Sequence, residues 1–188
     1  MRVKRLFPLR AFPLRIHKSC LAILAILFCS CAWATDSNDL VVSMKILPLL
    51  ENRLHGTAVV AVLYNPASAE SIADANNIKN ALEHGMGSLI EVTLVPKLVS
   101  ISELNQMTGS KIAFLAKEIP PDNFDAISSA AASSGILTIS TDLRCVNANK
   151  CVLGVVFAPT VKIYYSRTAA EASHISFTPV FLMLIKRL

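Results

Sequence analysis

The chain reads as an α/β protein, a three-layer sandwich with a mostly parallel sheet and a C-terminal antiparallel hairpin. Three observations lead there. Short β-branched runs alternate with helical stretches of about fifteen residues, the pattern of right-handed crossovers in a parallel sheet. The runs are apolar throughout rather than alternating, as strands covered on both faces are. The last two runs, CVLGVVF and VKIYYS, are separated only by Ala158-Pro159-Thr160, a spacing that suits a hairpin.

The elements follow in order. DLVVSMKILPLLENRL sets Val42, Ile46, Leu49 and Leu50 at helical spacing, with Pro48 and Gly56 limiting the segment. TAVVAVLY (57–64) is the first strand, broken by Asn65-Pro66. SAESIADANNIKNALEHG then carries Ile72, Ala75, Ile78 and Leu82 on one stripe, with Ser68 as N-cap and Gly85 as C-terminal stop. LIEVTLV (89–95) is the second strand, and SISELNQM, a polar turn or short helix, leads to KIAFLA (111–116), the third. Pro120-Pro121 opens a helix that turns Phe124, Ile127 and Ala131 inward and ends at Gly135. ILTIS (136–140) is the fourth strand and enters a loop bearing two cysteines. After the hairpin come a short helical turn (168–173) and a last apolar segment opened by Thr178-Pro179.

The N-terminal residues are of another kind. MRVKRLFPLRAFPLRIHKS is basic without a single acid, CLAILAILFC is an apolar core, and Ala32-Trp33-Ala34 is an A-x-A site. Together they predict a secretory signal peptide over 1–34, cleaved at Ala32 and Ala34, and a periplasmic mature domain over 35–188. A ten-residue apolar helix rises only about 15 Å, half the hydrocarbon core, which disfavours a membrane anchor. Cys29 and Cys31 suggest a lipoprotein site, against which Phe28 stands where a lipobox prefers Leu.

Setting the leader aside changes the composition. All 13 acidic residues follow Ala34 while 6 of the 18 basic ones precede it, leaving 12 against 13. The basic pI therefore belongs to the export signal and argues for no nucleic-acid partner. Cys145 and Cys151 are the cysteines that remain. In an oxidising compartment such a pair is expected to form a disulfide, with free thiols and metal ligation as the alternatives. Metal would want further ligands nearby, yet His55, His84 and His174 lie far apart in sequence. No metal and no cofactor is expected.

Ligands of open α/β sheets bind beyond the carboxyl ends of the strands. Those ends supply Tyr64, Asn65 and Ser68, then Lys117 and Glu118, then Ser140, Thr141 and Asp142. Asn65, Ser68, Lys117, Ser140, Thr141 and Asp142 are thus candidate ligand-binding residues, and the same types equally serve as turn and cap residues. The elbow G-x-S-x-G, the phosphate loops and H-E-x-x-H are all missing from the sequence, so a non-enzymatic protein without catalytic residues is expected.

From Gly135 onward the chain resembles the YfiR-like family of exported bacterial proteins. The likeness rests on ILTISTD, CVLGVVF, VKIYYSRTAAEAS and ISFTPVFLMLIKRL, and on KIAFLA preceding the Pro-Pro helix; it extends over residues 40–188. Ala148-Asn149-Lys150-Cys151 replaces the Gly-Gly-Met type turn common there, and the aromatic opening helix is missing around Met44 to Leu50. The resemblance implies a periplasmic regulator, often a homodimer, that represses a membrane-bound diguanylate cyclase by binding its periplasmic sensor domain, and so acts in cyclic-di-GMP signalling. The alternative is a small-ligand-binding protein related to the substrate-binding components of transporters, although two full lobes would need about twice this length.

Overall fold

The computed structural model describes residues 37–86, 92–157 and 160–187. The expected signal peptide with Ala32 and Ala34, the start of the expected second strand, and Ala158-Pro159 lie outside them. The described residues belong to one compact unit.

Helix α1 (Ser37–Ile46) is followed by a 3-10 turn at Leu47–Leu49 and by strand β1 (Gly56–Tyr64). Helix α2 (Ala69–Ala81) leads through a π turn at Leu82–Met86 toward β2 (Val92–Ser100). Then come β3 (Ile112–Leu115), α3 (Phe124–Ser134), β4 (Leu137–Ser140), α4 (Leu143–Asn147) and β5 (Leu153–Phe157). Strand β6 (Val161–Tyr165), α5 (Arg167–Ala172), α6 (Pro179–Leu184) and the two-residue β7 (Lys186–Arg187) complete the series.

The strands form one sheet in the order β2-β1-β3-β4-β5-β6-β7. Strands β1 to β5 are parallel, β6 turns back antiparallel to β5, and β7 runs parallel to β6. Sequence alternation explains the three layers. Val60 and Val62 of β1 lie level with Ile112 and Phe114 of β3, which lie level with Leu137 and Ile139 of β4, and this row faces one core. Ala61, Leu63, Ala113 and Leu115 face the other. The first core receives Leu40 and Met44 of α1, Ile78 of α2, Ala170 of α5 and Phe181 of α6. The second receives Phe124, Ile127 and Ala131 of α3, with Met107 and the two cysteines of α4 and its exit. Phe177 is fully buried against Tyr165, edge-on at 5.9 Å, and against Phe181 at 4.8 Å. Burial of one such ring contributes about 1.5–3 kcal/mol.

Four expectations need correction. Ile72 points outward, and the buried stripe of α2 is Ser71, Asp74, Ala75, Ile78 and Leu82, because two of its members are polar groups with partners. Gly85 does not stop that helix but lies within the π turn. The second strand runs on to Ser100 through Pro96, which its place at the sheet edge allows, since one row of N–H groups there faces solvent. The cysteine loop contains the helix α4, capped by the Asp142 side chain. The inward set of α3 and its left-handed stop at Gly135 (φ 62°) agree with the reading of the sequence.

Candidate functional site

Strand order reverses between β1 and β3. The crossover helix after β1 lies on one face and the helix after β3 on the other, so the carboxyl ends of these two strands mark the switch point at which ligands of open α/β sheets bind.

The β1 exit is built by short polar side chains. Asn65 Oδ1 accepts from the Ala67 amide at 3.0 Å and makes the turn that Pro66 begins. Ser68 Oγ accepts from the Ser71 amide at 3.1 Å, capping α2, while Ser71 Oγ accepts from the Asn65 amide at 2.9 Å. Asn65 Nδ2 then donates to the Glu118 carbonyl at 3.2 Å, tying the β1 loop to the β3 loop.

The β3 exit hangs on a residue whose part the sequence did not announce. Asp74 of α2, 2% exposed, accepts from the Lys117 amide through Oδ2 at 2.9 Å. Its position one turn before Ile78 was the available signal: a carboxylate on the buried stripe of a helix needs a partner. Glu118 follows in the left-handed region at φ 58°, which turns the chain back toward the buried Ile119. Lys117 is half-buried at the rim.

Strand β4 is next in the sheet, with Ser140 level with Leu115. Ser140 is buried and its Oγ accepts from the Asp142 amide at 3.0 Å. Asp142 caps α4 through the Arg144 amide at 2.9 Å and grips the Arg144 guanidinium at 2.5 Å. Hydrogen bonding to this carboxylate, with its charge, raises the Arg144 pKa above its ordinary value. Thr141 is half-buried between these two.

The structure thus sets the Asn65, Ser68 and Lys117 loops side by side, with Ser140, Thr141 and Asp142 on the adjoining strand. Asn65, Ser68, Ser140 and Asp142 all spend hydrogen bonds on turns and caps. Lys117 brings a cationic side chain to the same edge and Thr141 a hydroxyl.

The cysteines are joined. Cys145 and Cys151 form a disulfide with Cα atoms 5.3 Å apart, both buried in the second core. The bridge ties α4 to the approach of β5, and Val152 donates to Thr138 Oγ1 at 2.9 Å beside it. Among the described residues no group of three or more His, Cys, Asp or Glu side chains is placed to hold a metal ion. Among them, too, no helix is long and apolar enough to cross a membrane.

Solved structures share this architecture. The chain is similar to the ABC domain in complex with L-Trp from Streptococcus pneumonia, with a TM-score of 0.59 and 12% identity over 79% of this chain. A conserved domain protein from Vibrio cholerae gives 0.53 and 14% over 82%. A ligand-free, open substrate binding protein with adhesive properties from Clostridium difficile gives 0.57 and 11% over 82%. The chain spans 60% of the length of each of these. At such identities the likeness is one of fold. No family model and no curated protein matches the chain.

Proposed function

We propose that the protein is an exported, non-enzymatic binding module that takes a small zwitterionic ligand, such as a free amino acid, at the carboxyl edge of β1, β3 and β4. The observation that carries this reading is the reversal of strand order between β1 and β3, the switch point of the sheet, with Lys117 and the Ser140–Asp142 turn at neighbouring strand exits. Mixed charge supports a zwitterion: Lys117 suits a carboxylate, and the exposed Glu118 suits an ammonium. The fold likeness to one protein solved with L-Trp and another described as a substrate binding protein supports small-ligand binding in the same direction. A single lobe covers a ligand on one side, so affinity alone is expected to be modest.

The test is calorimetric titration with L-tryptophan and the other free amino acids. Lys117→Ala and Thr141→Ala are expected to weaken the binding of the preferred amino acid about tenfold each, as loss of a charge-assisted contact does. Binding unaffected by both substitutions would reject the crevice.

A second reading has its own observation. Val180, Met183 and Leu184 on α6 are 68, 82 and 80% exposed, an apolar face at odds with a solvated helix. It supports the docking of a membrane-bound signalling protein, of the diguanylate cyclase kind that the YfiR-like resemblance implies, or of a second copy in a homodimer. Serine at all three positions is expected to abolish co-purification with such a cyclase and to leave amino-acid binding intact. Unchanged co-purification would exclude this face.

A further inference from the structure

A second cleft, of about 350 Å3, opens at the opposite, amino edge of the sheet. The segment around Leu50 forms its wall by pairing with the stretch around Phe177: the Glu51 amide donates to the Ser176 carbonyl at 3.0 Å, and the Thr178 amide to the Leu49 carbonyl at 2.9 Å. The floor is aliphatic, made by Leu50, Ala58, Leu137 and Ile175. Arg53, Lys111 and the imidazoles of His55 and His174 line its rim, and no carboxylate does.

Two features set this rim apart from an ordinary solvated surface. Several cations of the chain are ion-paired, as Lys79 with Glu83, Lys150 with Asp125 and Arg167 with Glu171. Neither Arg53 nor Lys111 is in an ion pair among the described residues. The second feature is the backbone of His174. It occupies the left-handed position after α5, at φ 54°, with the Ile175 amide returning to the Ala170 carbonyl at 2.9 Å and the His174 amide to the Glu171 carbonyl at 3.2 Å. That is the helix ending in which glycine is favoured. The chain uses glycine for the same purpose at Gly135, on the same cleft, with the Ile136 amide returning to the Ala131 carbonyl at 3.0 Å. Histidine at this position costs more than glycine would, as Glu118 and Asn149 at φ 58° and 59° do elsewhere, and the conformation fixes where its imidazole leaves the chain.

We propose that this amino-edge cleft is a binding site for a small organic anion with an aliphatic body, its carboxylate held by Lys111, Arg53 and His174 and its chain lying on Leu137 and Ile175. The proposal is independent of the carboxyl-edge reading. The competing account is that these cations only offset the carbonyl ends of α3 and α5, which finish on this edge.

Hexanoate is the probe, with hexylamine and hexanol as cationic and neutral controls, followed through the amide resonances of the isotopically labelled protein. Hexanoate is expected to shift the Lys111 and His174 amides saturably, and the controls are not. Lys111→Ala is expected to weaken hexanoate about tenfold. His174→Gly should raise the melting temperature by about 2–4 °C while also weakening hexanoate, a combination that a purely structural histidine would not give. Lys117→Ala should leave the hexanoate shifts unchanged, which separates this site from the carboxyl edge. Shifts that fail to saturate, equal binding of hexanol, or full hexanoate affinity in both Lys111→Ala and His174→Gly would each overturn the proposal.

Discussion

Asp74 shows how much a single buried carboxylate can organise. It is on α2, accepts from the Lys117 backbone at 2.9 Å, and so fixes the exit of β3 from a neighbouring element. Asp74→Ala leaves that amide without its acceptor and is expected to lower stability by about 2 kcal/mol, read by urea unfolding. Asp74→Asn keeps an acceptor and should lose less; equal losses would mean that the carbonyl-type oxygen is not what matters. Gly154 is the other residue whose identity the structure explains. A Cβ there would stand 2.6 Å from Val146 Cγ1 and 2.9 Å from Leu143 Cδ2, both on α4. Gly154→Ala must displace these side chains or shift α4 itself, at about 1–3 kcal/mol by the same measurement. A neutral effect would show that α4 yields freely. Neither role was legible in the sequence, because a helical aspartate and a strand glycine take their meaning from neighbours distant along the chain.

At the scale of elements, legibility followed regular periodicity. Strand β1 and helix α3, with Phe124, Ile127 and Ala131 inward and Gly135 at its end, could be read directly, since apolar spacing and a stop residue agreed. Helix α2 was placed and capped correctly at Ser68, and Ala75, Ile78 and Leu82 of its expected stripe are buried, but Ile72 is not, and the polar Ser71 and Asp74 that share the buried face are invisible to a hydropathy pattern. Pro96 concealed the second half of β2, a break in most strands and tolerable in an edge strand. Helix α4 has five residues, too few to show a period, and depends on the Asp142 cap and the disulfide that follows. That bridge makes a prediction of its own. The native protein should resist thiol labelling until reduced, and Cys145→Ser with Cys151→Ser should lower stability by about 2 kcal/mol through the freed loop. Ready labelling of two thiols without reductant would contradict the joined state.

For the whole molecule, composition and alternation were enough to predict an α/β sandwich, and the doubly wound order with its C-terminal hairpin agrees. The candidate ligand residues were legible as strand exits, because ligand crevices in this architecture have a fixed place. Their chemistry was not, since one fold carries many functions and the same Ser, Asn and Asp side chains also build turns. Shared architecture with a substrate binding protein, at 11% identity, is a likeness of fold and leaves the chemistry to be measured.

The most direct measurement is therefore a titration of the protein with L-tryptophan and the other free amino acids, mapped residue by residue through its amide resonances. The account predicts saturable shifts centred on Asn65, Lys117 and Thr141 for at least one of them, lost in Lys117→Ala. The absence of saturable shifts across the whole set, or shifts confined to residues away from β1, β3 and β4, would contradict it.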